Sequence, residues 1–203
     1  MKIAIVGATG NVGSHIMDEA ERRGHHVTAI ARRVDGLQAT KTRTPVRGDL
    51  ADEVDLADKL AGHEAVISAT KFVRTDALKL IRTVKLAKVP RWLIVGGAGS
   101  LEVAPGVALV NTPQFPAEYH AEATAGRAFL DTLRKEREVD WTFLSPSAML
   151  EPGPRTGKFR VGGDQLLVDE NGNSHISVAD FAAAMIDELE QPRHRRQRFT
   201  VGH

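Results

Sequence analysis

The chain contains no cysteine. Disulfides, thiolate catalysis and cysteine-ligated metals are thereby excluded. Its single tyrosine, Tyr119, is followed four positions on by Ala123, and the nearest downstream lysine is Lys135. The Tyr-x-x-x-Lys pair, in which a lysine lowers the tyrosine pKa for proton transfer, is therefore absent. No apolar run approaches the ~20 residues that span a bilayer. No signal peptide precedes the first strand, which begins at Lys2, so a soluble cytoplasmic protein is expected. Nor is there an excess of charge. The net value is +1, which argues against nucleic-acid and membrane partners. The eight histidines show no metal-ligand grouping, so no metal is expected. His25 and His26 are adjacent at a strand start and should face opposite ways. The basic run Arg193–Arg198 lacks interleaved aromatics and reads as a solvated connection.

What is present suits one α/β domain with a full core. The 203 residues, 42% hydrophobic and 26% charged, are enough for one such domain and short for two. Strand-like and helix-like segments alternate, which predicts a doubly wound, mainly parallel sheet with helices on both faces. Strands are expected at Ile3–Val6, Val27–Ala31, around Val46, and at Ala65–Thr70, Arg91–Val95, Trp141–Leu144 and Arg198–Val201. Helices are expected at Val12–Arg23, Asp52–Ala61, Asp76–Lys88, Ala117–Arg137 and Val178–Leu189, the last opened by the capping pattern Ser177-x-x-Asp180. Ser100–Pro116 and Glu151–Gly157 read as loops, and loops as long as the first are often functional.

The stretch Gly7-Ala8-Thr9-Gly10-Asn11-Val12-Gly13 sits between the first strand and the first helix. Glycines at this spacing allow a tight turn, close backbone approach and close helix packing, as a dinucleotide phosphate site requires. The pyrophosphate would lie at the helix N-terminus. The plainer alternative is a turn that merely joins strand to helix. The second strand ends in Ala31-Arg32-Arg33, with no acid until Asp35. A guanidinium pairs with a 2′-phosphate and stacks on adenine, so NADP(H) is favoured over NAD(H), against a plain pair of solvated arginines. Asp49, followed by Leu50, either accepts from the adenine amino group or caps the next helix. Ala69-Thr70 and Gly96-Gly97 close the fourth and fifth strands and should form a crevice with room for ribose and nicotinamide. Ser100, Tyr119 and His120 are candidates to donate a proton or orient a substrate, against turn and packing roles. Ser100–Pro116, Tyr119 and Glu151–Phe159 are rich in proline and glycine and poor in charge, which suits an apolar slot for a planar acceptor.

Several of these residues carry a resemblance. The Gly7–Gly13 stretch, Gly96-Gly97-Ala98-Gly99-Ser100 and Asp140-Trp141-Thr142-Phe143-Leu144-Ser145-Pro146 are similar to segments of the candidate NADH-flavin reductases. So are Arg155-Thr156-Gly157, Ile176-Ser177-x-x-Asp180 and Arg198-Phe199-Thr200. That group consists of atypical short-chain dehydrogenase/reductases related to biliverdin-IX-β/flavin reductase and, more distantly, to NmrA-like proteins. The similarity covers nearly the whole chain. It implies one NAD(P)-binding Rossmann domain over 1–203, with the segment from about 145 onward on the substrate side. It implies cofactor contacts at Gly7, Thr9, Gly10, Asn11, Val12, Gly13, Arg32, Asp49 and the turns after the fourth and fifth strands, with Ser145-Pro146-Ser147 beside the nicotinamide. It also implies a catalytic serine near the end of the fifth strand, a place Ser100 takes after a register shift. The implied activity is hydride transfer from NADPH to a flavin-like, quinone or similar planar acceptor, with flavin as substrate rather than tightly bound cofactor. A conjugated ring delocalises the incoming charge and water can supply the proton later, which makes the missing Tyr-Lys pair tolerable. The NmrA-like relatives imply an alternative, a non-catalytic dinucleotide sensor that regulates a partner.

Overall fold

The computed structural model describes residues 1–203. In chain order its elements are β1 (Lys2–Val6), α1 (Asn11–Arg22), β2 (His26–Ala31), β3 (Arg43–Arg47), α2 (Glu53–Leu60), β4 (Ala65–Ser68), α3 (Ala77–Leu86), β5 (Trp92–Val95), β6 (Glu102–Ala104), β7 (Val107–Ala108), α4 (Ala117–Leu133), β8 (Trp141–Ser145), β9 (Met149–Glu151), β10 (Arg160–Gly162), β11 (His175–Ser177), α5 (Val178–Glu190) and β12 (Gln197–Gly202). Eight strands form one sheet in the order β10-β12-β8-β5-β4-β1-β2-β3. Every pairing in it is parallel except that of β10 with β12. From β1 the chain winds outward through β2 and β3, then returns to start again at β4. A crevice therefore opens beyond the carboxyl ends of β1 and β4, where such sheets bind ligands.

Side-chain alternation along β1 feeds two cores. Ile3 and Ile5 face Ile16 and Met17 of α1 and Phe181 and Met185 of α5. Ala4 and Val6 face Leu56 of α2, Leu80 of α3 and Phe129 of α4. Each core holds 21 buried residues, so neither face of the sheet is left to solvent. That is why the central strands read as continuous apolar runs rather than as alternating ones. No helix is long and apolar enough to cross a membrane. His25 is buried, with Nε2 2.9 Å from Glu190 Oε1, while His26 is exposed on the other side.

The expected elements fall close to where periodicity places them, the short strands β9, β10 and β11 are present where none was expected, and three further points differ. Helix α4 stops at Leu133 rather than Arg137. Lys135 and Glu136 donate three residues back, to Thr132 O and Leu133 O, and so tighten the last turn out of the α-helix. The Ser100–Pro116 stretch is not a plain loop. It contains β6 and β7, an antiparallel pair around Gly106, and Glu102 exchanges 2.8 Å backbone hydrogen bonds with Asp164 and Leu166. Third, Ser177 Oγ caps α5 by accepting from Asp180 N, but the Asp180 carboxylate serves the Arg155-Thr156-Gly157 loop. It accepts from Thr156 N at 2.9 Å, Gly157 N at 2.7 Å and Thr156 Oγ1 at 2.6 Å.

The same loop is held a second time. Arg155 donates to buried Glu19 on α1 at 2.9 and 3.0 Å, beside Arg22 and Arg23. Burial would raise the Glu19 carboxyl, but the three guanidinium groups outweigh it and lower its pKa from 4.5 to about 2. A depressed folded-state pKa means that the stabilisation is complete above pH 4.5 and is lost as pH falls from there towards about 2. Glu19→Gln is therefore expected to lower Tm at pH 7 and to flatten the fall in Tm across that acid window. Thermal melts of both proteins in a pH series measure this, and an unchanged acid slope would refute it.

Candidate functional site

The glycine turn hangs on the neighbouring strand. Gly7 N donates to Ile30 O at 2.9 Å, and Gly10 N donates to Gly7 O at 3.0 Å. Gly7 has φ of +86°, a left-handed conformation that costs little only for glycine. A Cβ on Gly7 would also overlap the Ala69 carbonyl oxygen at the end of β4, and one on Gly13 would overlap the Gly7 carbonyl oxygen. The turn, the β4 end and α1 thus meet backbone to backbone. Gly10 starts α1 without a side-chain cap, and the first turn carries no acid. The first N–H groups and the positive end of the helix are left for an anion, so a pyrophosphate fits this cradle.

A cavity of about 620 Å³ opens over the turn. Of the residues named from sequence, Gly7, Thr9, Gly10, Arg32, Asp49, Leu50, Ala69 and Thr70 line it. Sequence reading missed, among others, Lys71, Arg74, Thr75 and Asp76, between β4 and α3, and Lys79 and Leu80 of α3, which line it too. For Lys71, Arg74 and Thr75 the usable signal was position, since they follow shortly after a strand that ends in the crevice. Arg32 is exposed at the rim, and Arg33 is exposed outside the walls. The cap of α2 is Asp52, which accepts from Asp55 N at 3.0 Å. Asp49 instead accepts from Ala51 N at 3.0 Å, so it is not the helix cap and keeps its place in the cavity wall.

The other named residues lie outside these walls. Asn11, Val12 and Gly13 form the first turn of α1 behind the loop. Gly96 makes room for the Phe143 ring, which a Cβ would overlap, whereas Gly97 faces open space. Ser145, Pro146 and Ser147 are buried. Ser145 O accepts from Thr200 Oγ1, and Ser147 Oγ donates to Val201 O, both at 2.9 Å. Ser100 is half-buried. Tyr119 is 62% exposed. His120 is exposed, its Nδ1 3.4 Å from Thr124 Oγ1. The fold therefore gathers eight of the named cofactor candidates around one cavity and leaves the three candidate proton donors apart from it. A Cβ on Gly99 would lie 2.6 Å from Ala123 Cβ. The helix position where a Tyr-x-x-x-Lys pair carries its lysine is here pressed against the turn after β5.

Arg198 corrects the reading of the basic run. Arg193, Arg195 and Arg196 are exposed, but the Arg198 side chain in β12 is 2% exposed. Its Nε donates to Asp164 at 2.8 Å, and Nη1 lies 3.4 Å from both Ser100 Oγ and Ser145 Oγ. Burial pushes its pKa down, and Asp164 opposes that shift. No signal in the run itself marked it, since Arg198 follows Arg195, Arg196 and Gln197 directly.

A parallel sheet wound both ways from β1, a glycine turn under an uncapped helix and a cavity over both define a dinucleotide-binding Rossmann protein. The chain belongs to the NAD(P)H-binding family, whose profile matches residues 7–192. It is similar to uncharacterized protein YwnB of Bacillus subtilis, with 40% identity over 208 residues, 99% of this chain and 98% of that protein. A solved candidate epimerase from Bacteroides thetaiotaomicron is 43% identical, with a TM-score of 0.95 and coverage of 100% of this chain and 96% of that one. A solved candidate NADH-flavin reductase from Streptococcus pneumoniae is 35% identical, with a TM-score of 0.84 and coverage of 100% and 99%. Together these fit the atypical short-chain dehydrogenase/reductases.

Proposed function

We propose that the chain is a cytoplasmic NADPH-dependent reductase acting on a flavin-like, quinone or similar planar conjugated acceptor. The observation that carries this reading is the cavity above the Gly7–Gly13 cradle with Arg32 at its rim. The cradle would accept a pyrophosphate, Asp49 would accept from the adenine amino group, and Arg32 would hold the 2′-phosphate that distinguishes NADPH from NADH. When bound, the cofactor supplies the hydride. The protein's part is to hold donor and acceptor rings in reacting geometry, with Gly97 leaving open space after β5. The segment from about 145 onward forms the acceptor side, where two carboxylates keep the Arg155–Gly157 loop in place. The absent Tyr-x-x-x-Lys pair suits an acceptor whose ring takes the charge. The resemblance to the Streptococcus pneumoniae protein supports the flavin class.

A second reading is a dinucleotide sensor that regulates a partner. One observation favours it. Ser145 and Ser147 are buried, Ser147 Oγ is bonded to Val201 O, and Tyr119 and His120 lie outside the cavity over the glycine turn. Oxidation of NADPH, with NADH as control, against FMN, riboflavin, quinones and biliverdin separates the two. Acceptor-dependent oxidation supports the reductase. Binding without oxidation of any acceptor gives the sensor. Arg32→Ala should weaken NADPH binding by about tenfold to a hundredfold, since a charged hydrogen bond is lost, and leave NADH nearly unchanged. Equal NADPH and NADH affinities in the unmodified protein would remove the argument from Arg32.

A further inference from the structure

The turn Phe72–Arg74 after β4 begins with two backbone N–H groups that have no partner within the turn, as at any helical start. Their acceptor comes from another element. Glu122, on the second turn of α4, takes Phe72 N on Oε1 at 2.7 Å and Val73 N on Oε2 at 3.1 Å. A carboxylate that splits its oxygens between consecutive amides fixes both the position and the tilt of that turn. Packing reinforces the link. The Phe72 ring lies against Gly126, where a Cβ would come within 2.9 Å of it, and Phe129 is 5.2 Å away, centroid to centroid. The rest of the segment is closed locally, through Thr75 Oγ1 to Lys71 O at 2.8 Å and to Thr70 Oγ1 at 3.1 Å. Lys71, Arg74, Thr75 and Asp76 of this segment line the same cavity as Arg32. Glu122 itself does not line the cavity.

We propose that Glu122 is a positioning residue for the cofactor: it caps the Phe72–Arg74 turn from α4 and so sets the Lys71–Asp76 wall in its binding geometry. The inference rests on the reading that this cavity takes the adenosine half of NADPH. Its consequence is that α4, whose first turn carries Tyr119 and His120 on the side assigned to the acceptor, is tied rigidly to the wall of the cofactor cavity. Without the carboxylate, the two amides turn to water and the wall segment samples other positions. A cofactor must then reorder it on binding, which costs affinity.

The test is fluorescence titration of NADPH and of adenosine 2′,5′-bisphosphate into the full chain and into Glu122→Ala, Glu122→Gln and Arg32→Ala. Thermal melts and hydrogen exchange at the Phe72 and Val73 amides accompany it. Glu122→Ala should raise both dissociation constants about tenfold, the equivalent of one charged hydrogen bond, and Glu122→Gln, which keeps one acceptor oxygen, about threefold. The two ligands should be affected alike, because the wall lies on the adenosine side. The two amides should exchange faster. If folded Glu122 variants bind both ligands within twofold of the unmodified protein while Arg32→Ala weakens them, the positioning role is wrong and the cavity reading stands. If Arg32→Ala also changes nothing, the cavity reading falls and the role of Glu122 falls with it. Should Glu122→Ala fail to fold, Glu122→Gln decides by the same comparison. A lowered Tm with unchanged affinity marks a purely structural residue and overturns the proposal.

Discussion

Gly13→Ala is expected to remove measurable NADPH binding. The added Cβ would overlap the Gly7 carbonyl oxygen and come within 3.2 Å of Ala8 Cα, all backbone atoms of the cradle. No side-chain rotation relieves that contact. Either α1 moves away from the turn, or the turn opens. In both cases the helix N-terminus loses its aim at the pyrophosphate, and a displacement of about 1 Å at such a site costs on the order of 100-fold. Gly24→Ala is the control. It adds a Cβ at a left-handed glycine, with φ of +81°, just beyond the far end of α1 and with open space around it. It should lower stability by about 1 kcal/mol and leave affinity intact. Titration of NADPH into both variants reads the result. Binding within a few-fold of the unmodified protein by Gly13→Ala would show that the phosphate is not held at this turn.

The largest loss of stability away from the cradle is expected from Asp180→Ala. The carboxylate is 0% exposed and holds two backbone N–H groups and one hydroxyl of the Arg155-Thr156-Gly157 loop. His203 Nε2 lies 3.4 Å away on the other side. Truncation leaves these donors without their acceptor, at a cost of about 3 kcal/mol or more. For a chain of this length that corresponds to a fall in Tm of about 6–12 °C. Asp180→Asn retains one acceptor oxygen but turns its own N–H groups towards other donors, so it should recover only part of the loss. The loop should become the first protease-sensitive segment in either variant. A Tm within 2 °C or so of the unmodified protein would mean that Arg155 and Glu19 suffice to hold the loop, since surface changes alone give shifts that small.

Much of this molecule was legible in local patterns. The apolar runs at Ile3–Val6 and Ala65–Ser68 mark strands buried on both faces, and the turn at Gly7–Gly13 marks where β1 meets α1. Eight of the residues expected at the cofactor do line the cavity. The misses share a cause. Helix α4 was carried four residues too far because Arg134–Arg137 continue a helical pattern, while the Glu136 carboxylate bonds to Glu138 N and Val139 N and draws the chain into a turn. The Ser177-x-x-Asp180 pattern announced a cap, yet Asp180 also reaches a loop more than twenty residues away. Arg198 closed a basic run that reads as solvated, but lies in a strand between Asp164 and two serines.

By itself, the sequence determined the order of the five helices and of seven of the twelve strands, the backbone-only cradle and the cationic end of β2. Those follow from hydrophobic period, glycine conformation and charge over a few neighbouring residues. Only the tertiary structure decided which α3 residues close the cavity, that Asp52 rather than Asp49 caps α2, and that Ser147 Oγ is spent inside the fold. It alone brought Glu122 to Phe72 and Arg155 to Glu19, across 50 and 136 residues of chain. Such partners are chosen by how helices settle on the two faces of a twisted sheet. That choice depends on the summed packing of both cores and leaves no local signature in the residues that it joins.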